Sequence, residues 1–250
     1  MRTMYNTLLL FNVLALLFSN AWCQCTELEY EADNSTDCLS WRLSVEVNNV
    51  RNWWTVPEDC LAYVKQYMVG GQYEKDLQST VDLITSYMEK IELAGDGMDA
   101  WVLDVDDTAL SNLEYYKGRK FGGMPFDRFS FNNWAMRGRS VALPAILDLY
   151  NKLKVSGFKV FFLTGRDESQ RKVTQRNLQS QGYNDYDGLI LRGHFEKGKG
   201  AVVFKSHKRQ ELIENGYYIW GNVGDQWSDI TGDYVGNRTF KLPNPMYFVP

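Results

Sequence analysis

Histidine is almost missing from this chain: His194 and His207 are the only two among 250 residues. Metal sites built from several imidazoles are excluded, and any catalytic scheme resting on histidine has very few candidates. Surplus positive charge is missing too, with 27 Lys and Arg against 31 Asp and Glu and a formal net charge of −4. Proteins that grip nucleic acid through its phosphates carry the opposite imbalance, so no nucleic-acid partner is expected. Also lacking is an apolar run of the roughly 20 residues that a bilayer-spanning helix needs. No repeat or low-complexity stretch divides the chain, and no Pro/Gly-rich linker cuts it in two. What the sequence does hold is carboxylates, and chemistry is to be sought there.

The longest apolar run, residues 7–18, has 12 residues behind the basic start Met1-Arg2-Thr3 and ahead of residues 19–24, which set small residues at possible cleavage positions. That is the form of a secretory signal peptide, here residues 1–23, cleaved after Ala21 or Cys23. Its removal leaves a mildly acidic chain with no membrane association expected, destined for the cell exterior or the vacuole. In that compartment the sequons at Asn34 and Asn237 become glycosylation acceptors. The four cysteines fit the same oxidising setting. Cys38 with Cys60 is the expected disulfide, while Cys25 is either free or pairs in place of one of them.

Residues 24–98 read as a helical N-terminal part. Acids at Glu58 and Asp59 open a helix over 57–69 that stops at Gly70-Gly71. Over 72–93, Leu77, Val81, Ile84, Met88 and Ile91 recur at the spacing of one helix face. From 99 to 250 short apolar runs alternate with helical patterns. Strands are expected over 100–105, 158–163, 188–191 and 217–220, and helices over 143–153, 168–181 and 206–215, the last capped by Ser206. That alternation predicts an α/β domain with a doubly wound parallel sheet. The helical part is expected to pack on it. Residues 113–142 interrupt the pattern just past a strand end and predict a small cap. Its aromatics Tyr115, Tyr116, Phe126 and Trp134 suggest a wall for an organic group.

The strand ends carry the chemistry. Trp101-Val102-Leu103 runs into Asp104-Val105-Asp106-Asp107-Thr108, and strand carboxyl ends open onto the ligand crevice of such sheets. Carboxylates this close call for a cation or a shared proton. The next strand ends in Thr164-Gly165-Arg166, a hydroxyl and turn amides suited to a phosphate oxygen. Lys205 follows an apolar run, able to neutralise phosphate or hold a carboxylate ionised. Another strand leads to Asp225, with Asp229 four residues on.

Taken together, the segments at 104–108, 164–166, Lys205 and 224–229 resemble the four motifs of the haloacid dehalogenase superfamily. With Ser40-Trp41-Arg42, Tyr115-Tyr116 and the ending Lys241-Leu242-Pro243-Asn244-Pro245-Met246-Tyr247, the chain resembles the plant class B acid phosphatases and vegetative storage proteins. The resemblance implies a haloacid dehalogenase-type fold and hydrolysis of small-molecule phosphate monoesters through an aspartyl-phosphate. Asp104 would be the nucleophile and Asp106 the general acid and base. Thr164, Gly165 and Lys205 would hold the phosphoryl group. Mg2+ would lie on the Asp104 carboxylate, the Asp106 carbonyl and Asp225, with Asp229 in support. A homodimer is also implied. Some storage members lack the nucleophile; Asp104 is present here, although storage use can coexist with an intact site.

Other motifs fail. Residues 193–200 resemble a P-loop but end in Gly200 where Ser or Thr must ligate magnesium. A calcium loop over 104–115 has Ala109 where glycine is required and Tyr115 where Glu should close it. Gly-x-Ser-x-Gly is absent.

Overall fold

The computed structural model describes residues 34–250, with side chains from residue 36 onward. The expected leader at 1–23, Cys25 and the Asn34 side chain lie outside the described residues. Helix α1 (Asn34–Glu46) is followed by α2 (Leu61–Val69) and α3 (Gln72–Met88). The acids Glu58 and Asp59 form a single 3₁₀ turn ahead of α2 rather than its first turn. Helix α3 stops at Met88 instead of 93, because the amides of Lys90 and Ile91 turn back onto Tyr87 and Met88.

Five strands follow: β1 (Asp99–Leu103), β2 (Lys159–Asp167), β3 (Gly188–Arg192), β4 (Tyr218–Gly224) and β5 (Arg238–Lys241). All pair in parallel, in the order β3-β2-β1-β4-β5. The order reverses between β1 and β4, which places the switch-point crevice of a doubly wound sheet beyond their carboxyl ends. The expected α/β class is observed.

Period-2 alternation supplies both faces. Trp101, Leu103, Val160 and Phe162 point into one cluster with Val64, Met68, Leu77, Ile84 and Leu149. Those partners come from α2, α3 and α6 (Pro144–Val155), so the helical N-terminal part and the sheet share one core. Ala100, Val102, Phe161 and Leu163 face the other way, onto Phe204 and Leu212 of α8 (Ala201–Glu214). Trp101 fits because β4 has glycine opposite it: a Cβ on Gly221 would stand 2.0 Å from the indole.

Helix α8 corrects one expectation. Ser206 does not cap it; the helix starts five residues earlier, after Gly200. The apolar run 202–204 is its first turn rather than a lead-in, an ambiguity that a run this short always carries. Ser206 is buried inside the helix, where its Oγ accepts from the Asp233 amide at 3.0 Å. Residues 113–142 contain two short helices, α4 (Leu113–Lys117) and α5 (Arg128–Ala135), with Asp127 capping α5 by accepting from the Phe129 amide at 3.0 Å. Helix α7 (Arg171–Ser180) joins β2 to β3, and α9 (Trp227–Ile230) follows β4.

Cys38 of α1 and Cys60 are joined by a disulfide with their Cα atoms 5.3 Å apart. Glu46, the last residue of α1, then latches the far end of the chain, accepting from Lys241 Nζ at 2.9 Å and the Asn244 amide at 2.8 Å. Closing a loop of 22 residues restricts the unfolded chain, worth about 3 kcal/mol on the loop-entropy account. Replacing both cysteines by alanine is expected to lower the urea-unfolding free energy by about that amount. An unchanged unfolding midpoint would show that the latch at Glu46 holds α1 by itself.

Candidate active site

Asp104 is the first residue past β1, its amide donating to the Val223 carbonyl of β4 at 3.0 Å. The chain then turns sharply. Asp107 adopts φ 53°, a left-handed conformation that Asp tolerates better than most side chains. The turn is tied off on both carboxylate oxygens of Asp107, by the Asn112 amide at 2.7 Å and the Tyr247 hydroxyl at 2.9 Å. Asp107 therefore builds the loop, while Asp104 and Asp106 face the crevice.

From the neighbouring strand, Thr164 donates to Asp106 Oδ2 at 3.3 Å and accepts the Arg166 amide at 3.1 Å. The Arg166 guanidinium grips the Asp106 carboxylate at 2.8–3.2 Å through Nε and Nη2. Burial works against ionisation of Asp106, but the charge and hydrogen bonds of Arg166 outweigh it and hold the carboxyl below its ordinary value. The sequence sets Arg166 beside Thr164-Gly165 but gives no sign of this clamp. Gly165 lies at the cavity surface beside them.

Lys205 reaches the site from α8. Its buried ammonium donates to Asp104 Oδ1 at 2.5 Å and Asp229 Oδ1 at 2.6 Å. Burial alone would lower its pKa; the two carboxylates reverse that and hold it above the ordinary lysine value. Asp229 fits against β4 because residue 224 is glycine, whose Cβ would stand 2.4 Å from that of Asp229. The Gln226 amide donates to its second oxygen at 2.9 Å. Beneath it the fully buried Arg209 donates to the carbonyls of Asp229, Thr231 and Asp233, and burial pushes its pKa down to about 10.

Asp225 caps β4. Its Oδ2 accepts from Gln226 Nε2 and Asn244 Nδ2, both at 2.7 Å, and Thr108 takes its amide at 3.1 Å. Asp104, Asp225 and Asp229 bring carboxylate oxygens within 4.8 Å of one another. Burial, then the charge of Asp229, raises the Asp225 carboxyl to about 8. Asp104 is likewise pushed up by burial, with Lys205 opposing and Asp229 adding to the rise. The cluster of three buried carboxylates has one ammonium, paired with Asp104 and Asp229, and the remaining negative charge suits a divalent cation that takes oxygen donors.

These groups floor a cavity of about 630 Å³. Of the expected aromatic wall, Tyr116 and Phe126 line it. Tyr115 and Trp134 instead pack behind Phe131, with ring centroids 5.3 and 6.0 Å from it. The rest of the wall was not foreseen: Trp53 and Phe248 meet at 6.4 Å between centroids, and Tyr247 stacks on Tyr116 at 4.8 Å. Asn237 lies apart, just ahead of β5, exposed and donating to the Tyr87 hydroxyl at 2.8 Å.

The profile of "HAD superfamily, subfamily IIIB (Acid phosphatase)" matches residues 24–250. Acid phosphatase 1 of Solanum lycopersicum is 44% identical over 221 residues, 88% of this chain and 87% of its own. Vegetative storage protein 1 of Arabidopsis thaliana is 36% identical over 236 residues, 94% of this chain and 86% of its own. Among solved structures, the class C acid phosphatase of Bacillus anthracis superposes with a TM-score of 0.63 at 22% identity, covering 75% of this chain and 84% of that one, which is a likeness of fold. On the extent of these matches the chain belongs to the acid phosphatase family of the HAD superfamily, subfamily IIIB.

Proposed function

We propose that the protein hydrolyses phosphate monoesters by transferring the phosphoryl group to Asp104 and then to water. The observation that carries this is the Lys205 ammonium held 2.5 Å from Asp104 inside a buried carboxylate cluster. A nucleophilic carboxylate must be held ionised where burial would protonate it, and the Lys205 ammonium opposes that protonation, a divalent cation adding to this opposition when bound. An Asp104 oxygen forms the bond to phosphorus as the ester P–O bond breaks. Asp106 gives its proton to the departing alkoxide, then takes one from the water that cleaves the acyl phosphate. Thr164, the amides around Gly165 and Lys205 donate to the equatorial oxygens.

Asp104, the carbonyl of Asp106 and Asp225 would hold Mg2+, with Asp229 fixed by Lys205 and Gln226 in a supporting place. Bound there, the ion supplies positive charge against the phosphoryl oxygens. Asp106 begins the cycle paired with Arg166. An arriving phosphate competes for that guanidinium and repels the carboxylate, so Asp106 gains its proton with the substrate, more readily in acid. Hydrolysis of an aryl phosphate is expected to be fastest below neutral pH and to stop with a chelator. A rate that climbs steadily past neutral would overturn the role of Asp106.

The metal also has a signature in stability. The Asp225 carboxyl at about 8 and Asp107 at about 7, each raised chiefly by burial, exceed the 3.8 of an exposed carboxyl. Between those values the folded chain holds protons that the unfolded chain has released, so the stripped protein loses stability as pH rises through that window. Thermal melts in chelator should fall from about pH 5 to about pH 8, and Mg2+ should restore most of the loss at the upper end. A flat profile in chelator would remove the case for a charged, metal-requiring cluster.

Relatives named vegetative storage proteins and the stem 28 kDa glycoprotein of Glycine max favour a second role, as stored protein in a secreted or vacuolar pool. Among the described residues no helix is long and apolar enough to cross a membrane. Turnover per molecule separates the two roles: a storage protein with a relic site is slow whatever stands at position 104.

A further inference from the structure

We propose that Arg128 and Arg192 form a second anion subsite at the catalytic cavity, so that the preferred ester carries a negative group on its organic part as well as the phosphate. The inference rests on the phosphatase reading and names its substrate class. Five cationic side chains line the cavity. Three are matched by carboxylates: Lys205 by Asp104 and Asp229, Arg166 by Asp106, and Lys197 by Asp167 at 2.9 Å. Among the described residues Arg128 and Arg192 have no such partner within 4.0 Å, although they come from separate elements, the first residue of α5 and the last of β3.

Arg192 is fixed rather than waving in solvent. Its guanidinium lies over the Phe204 ring, 4.4 Å from the centroid, and Nη1 donates to the carbonyls of Glu196 at 3.0 Å and Lys199 at 2.7 Å. Carbonyls and a ring face hold a cation in place without cancelling its charge. Burial lowers its pKa and the neighbouring charge of Arg128 lowers it further, while the charge of Glu196, itself paired with Lys208, only partly opposes them. The phosphoryl group already has Lys205 and Thr164, and about 630 Å³ is far more than it fills. The space beyond it belongs to the leaving group, and its walls combine aromatic faces such as Trp53 and Phe126 with these two guanidiniums. An aromatic ring bearing a carboxylate or a second phosphate matches both features.

The test compares phenyl, para-carboxyphenyl and para-phosphonophenyl phosphate at about pH 6. The readouts are kcat/KM for the intact enzyme and calorimetric affinity in an Asp104→Asn background. The intact protein should favour the esters with the extra anion about tenfold over phenyl phosphate, and Arg128→Gln with Arg192→Gln should abolish that preference. The carboxyl and phosphonate arms tell which anion is favoured. If Arg192→Gln unfolds the loop packed on Phe204, the exposed Arg128→Gln carries the test alone and should cut the preference several-fold, with Arg128→Lys restoring part of it. Overturning results are no preference in the intact protein, or an equal loss on all three esters, which would mean general steering of phosphate. Failure of the phosphatase reading looks different: no ester is turned over, while the affinity ratio still decides on the subsite.

Discussion

Asp104→Asn is expected to fold normally and to lose aryl phosphatase activity by on the order of 10⁴-fold or more, the scale seen when a covalent nucleophile is removed. Asparagine keeps the size and shape of the side chain, and the backbone there is held by the bond from its amide to Val223, which the substitution leaves alone. What disappears is the oxygen that the proposed mechanism brings to phosphorus. Folding is protected by the electrostatics of the cluster. Asp104 is one of three crowded carboxylates, its ionised form is disfavoured by burial, and Lys205 retains Asp229 at 2.6 Å when Asp104 is neutralised. In chelator at neutral pH the variant should therefore melt no lower than the wild type. Steady-state hydrolysis, acid-stable labelling of the protein by a phosphoryl donor and a thermal melt check the three parts. Equal, slow rates for both proteins would mean that the intact site is a relic and would favour storage.

How much of this was legible beforehand follows from where the signal lies. An apolar strand running into Asp104-Val105-Asp106-Asp107-Thr108 announces itself, since acids cannot continue the buried strand and must open onto solvent or a ligand. Strand β1 was visible for that reason; the parallel sheet was visible in the alternation of strands and helices, and the grouping of Asp104 with Asp225 and Asp229 only through the family resemblance. Strand β5 was not. Arg238–Lys241 has only four residues, charged at both ends, and is ordered by pairing with β4 and by packing Phe240 on Trp101 with centroids 5.9 Å apart. The run before Lys205 reads as a lead-in to a helix, whereas Lys205 lies within one, because three apolar residues fit either period. The wall of Trp53 and Phe248 joins residues 195 positions apart in the chain, so no local pattern encodes it. The Asn244 and Gln226 bonds to Asp225 likewise follow from tertiary contact. Arg166 had a usable signal, a guanidinium adjoining a strand-end hydroxyl and facing an acid-rich loop, though its partner could only be named once β2 lay beside β1.

Lys205→Met is expected to cost both turnover and stability, and the stability loss should depend on pH. The methionine chain fills the aliphatic part of the site, so the change is chiefly the missing ammonium. Without it, Asp104 and Asp229 are buried with no cation. Breaking a buried pair by removing one partner costs about 3–5 kcal/mol when the remaining charge stays ionised. The sign of the pH effect comes from the acids. The folded-state pKa of Lys205 is raised, so its own contribution is complete below the ordinary value of 10.5 and is lost only as pH rises through the higher folded value. From mild acid to pH 8 Lys205 therefore stays charged, and the pH dependence of its loss comes from the acids it faces. Asp104, already raised by burial, loses the cation that opposed the rise and escapes the penalty only by taking up a proton. The variant in chelator should therefore melt close to wild type in mild acid and far below it near pH 8. Saturating Mg2+ should return part of the stability and little of the rate, because an ion on Asp104 and Asp225 does not replace a donor to the phosphoryl oxygens, a loss on the order of 10²–10³-fold. Equal melting of the two proteins at pH 8 would show that the ammonium does not bridge Asp104 and Asp229 in solution, and the assignment of Asp104 as a carboxylate held ionised by Lys205 would fall with it.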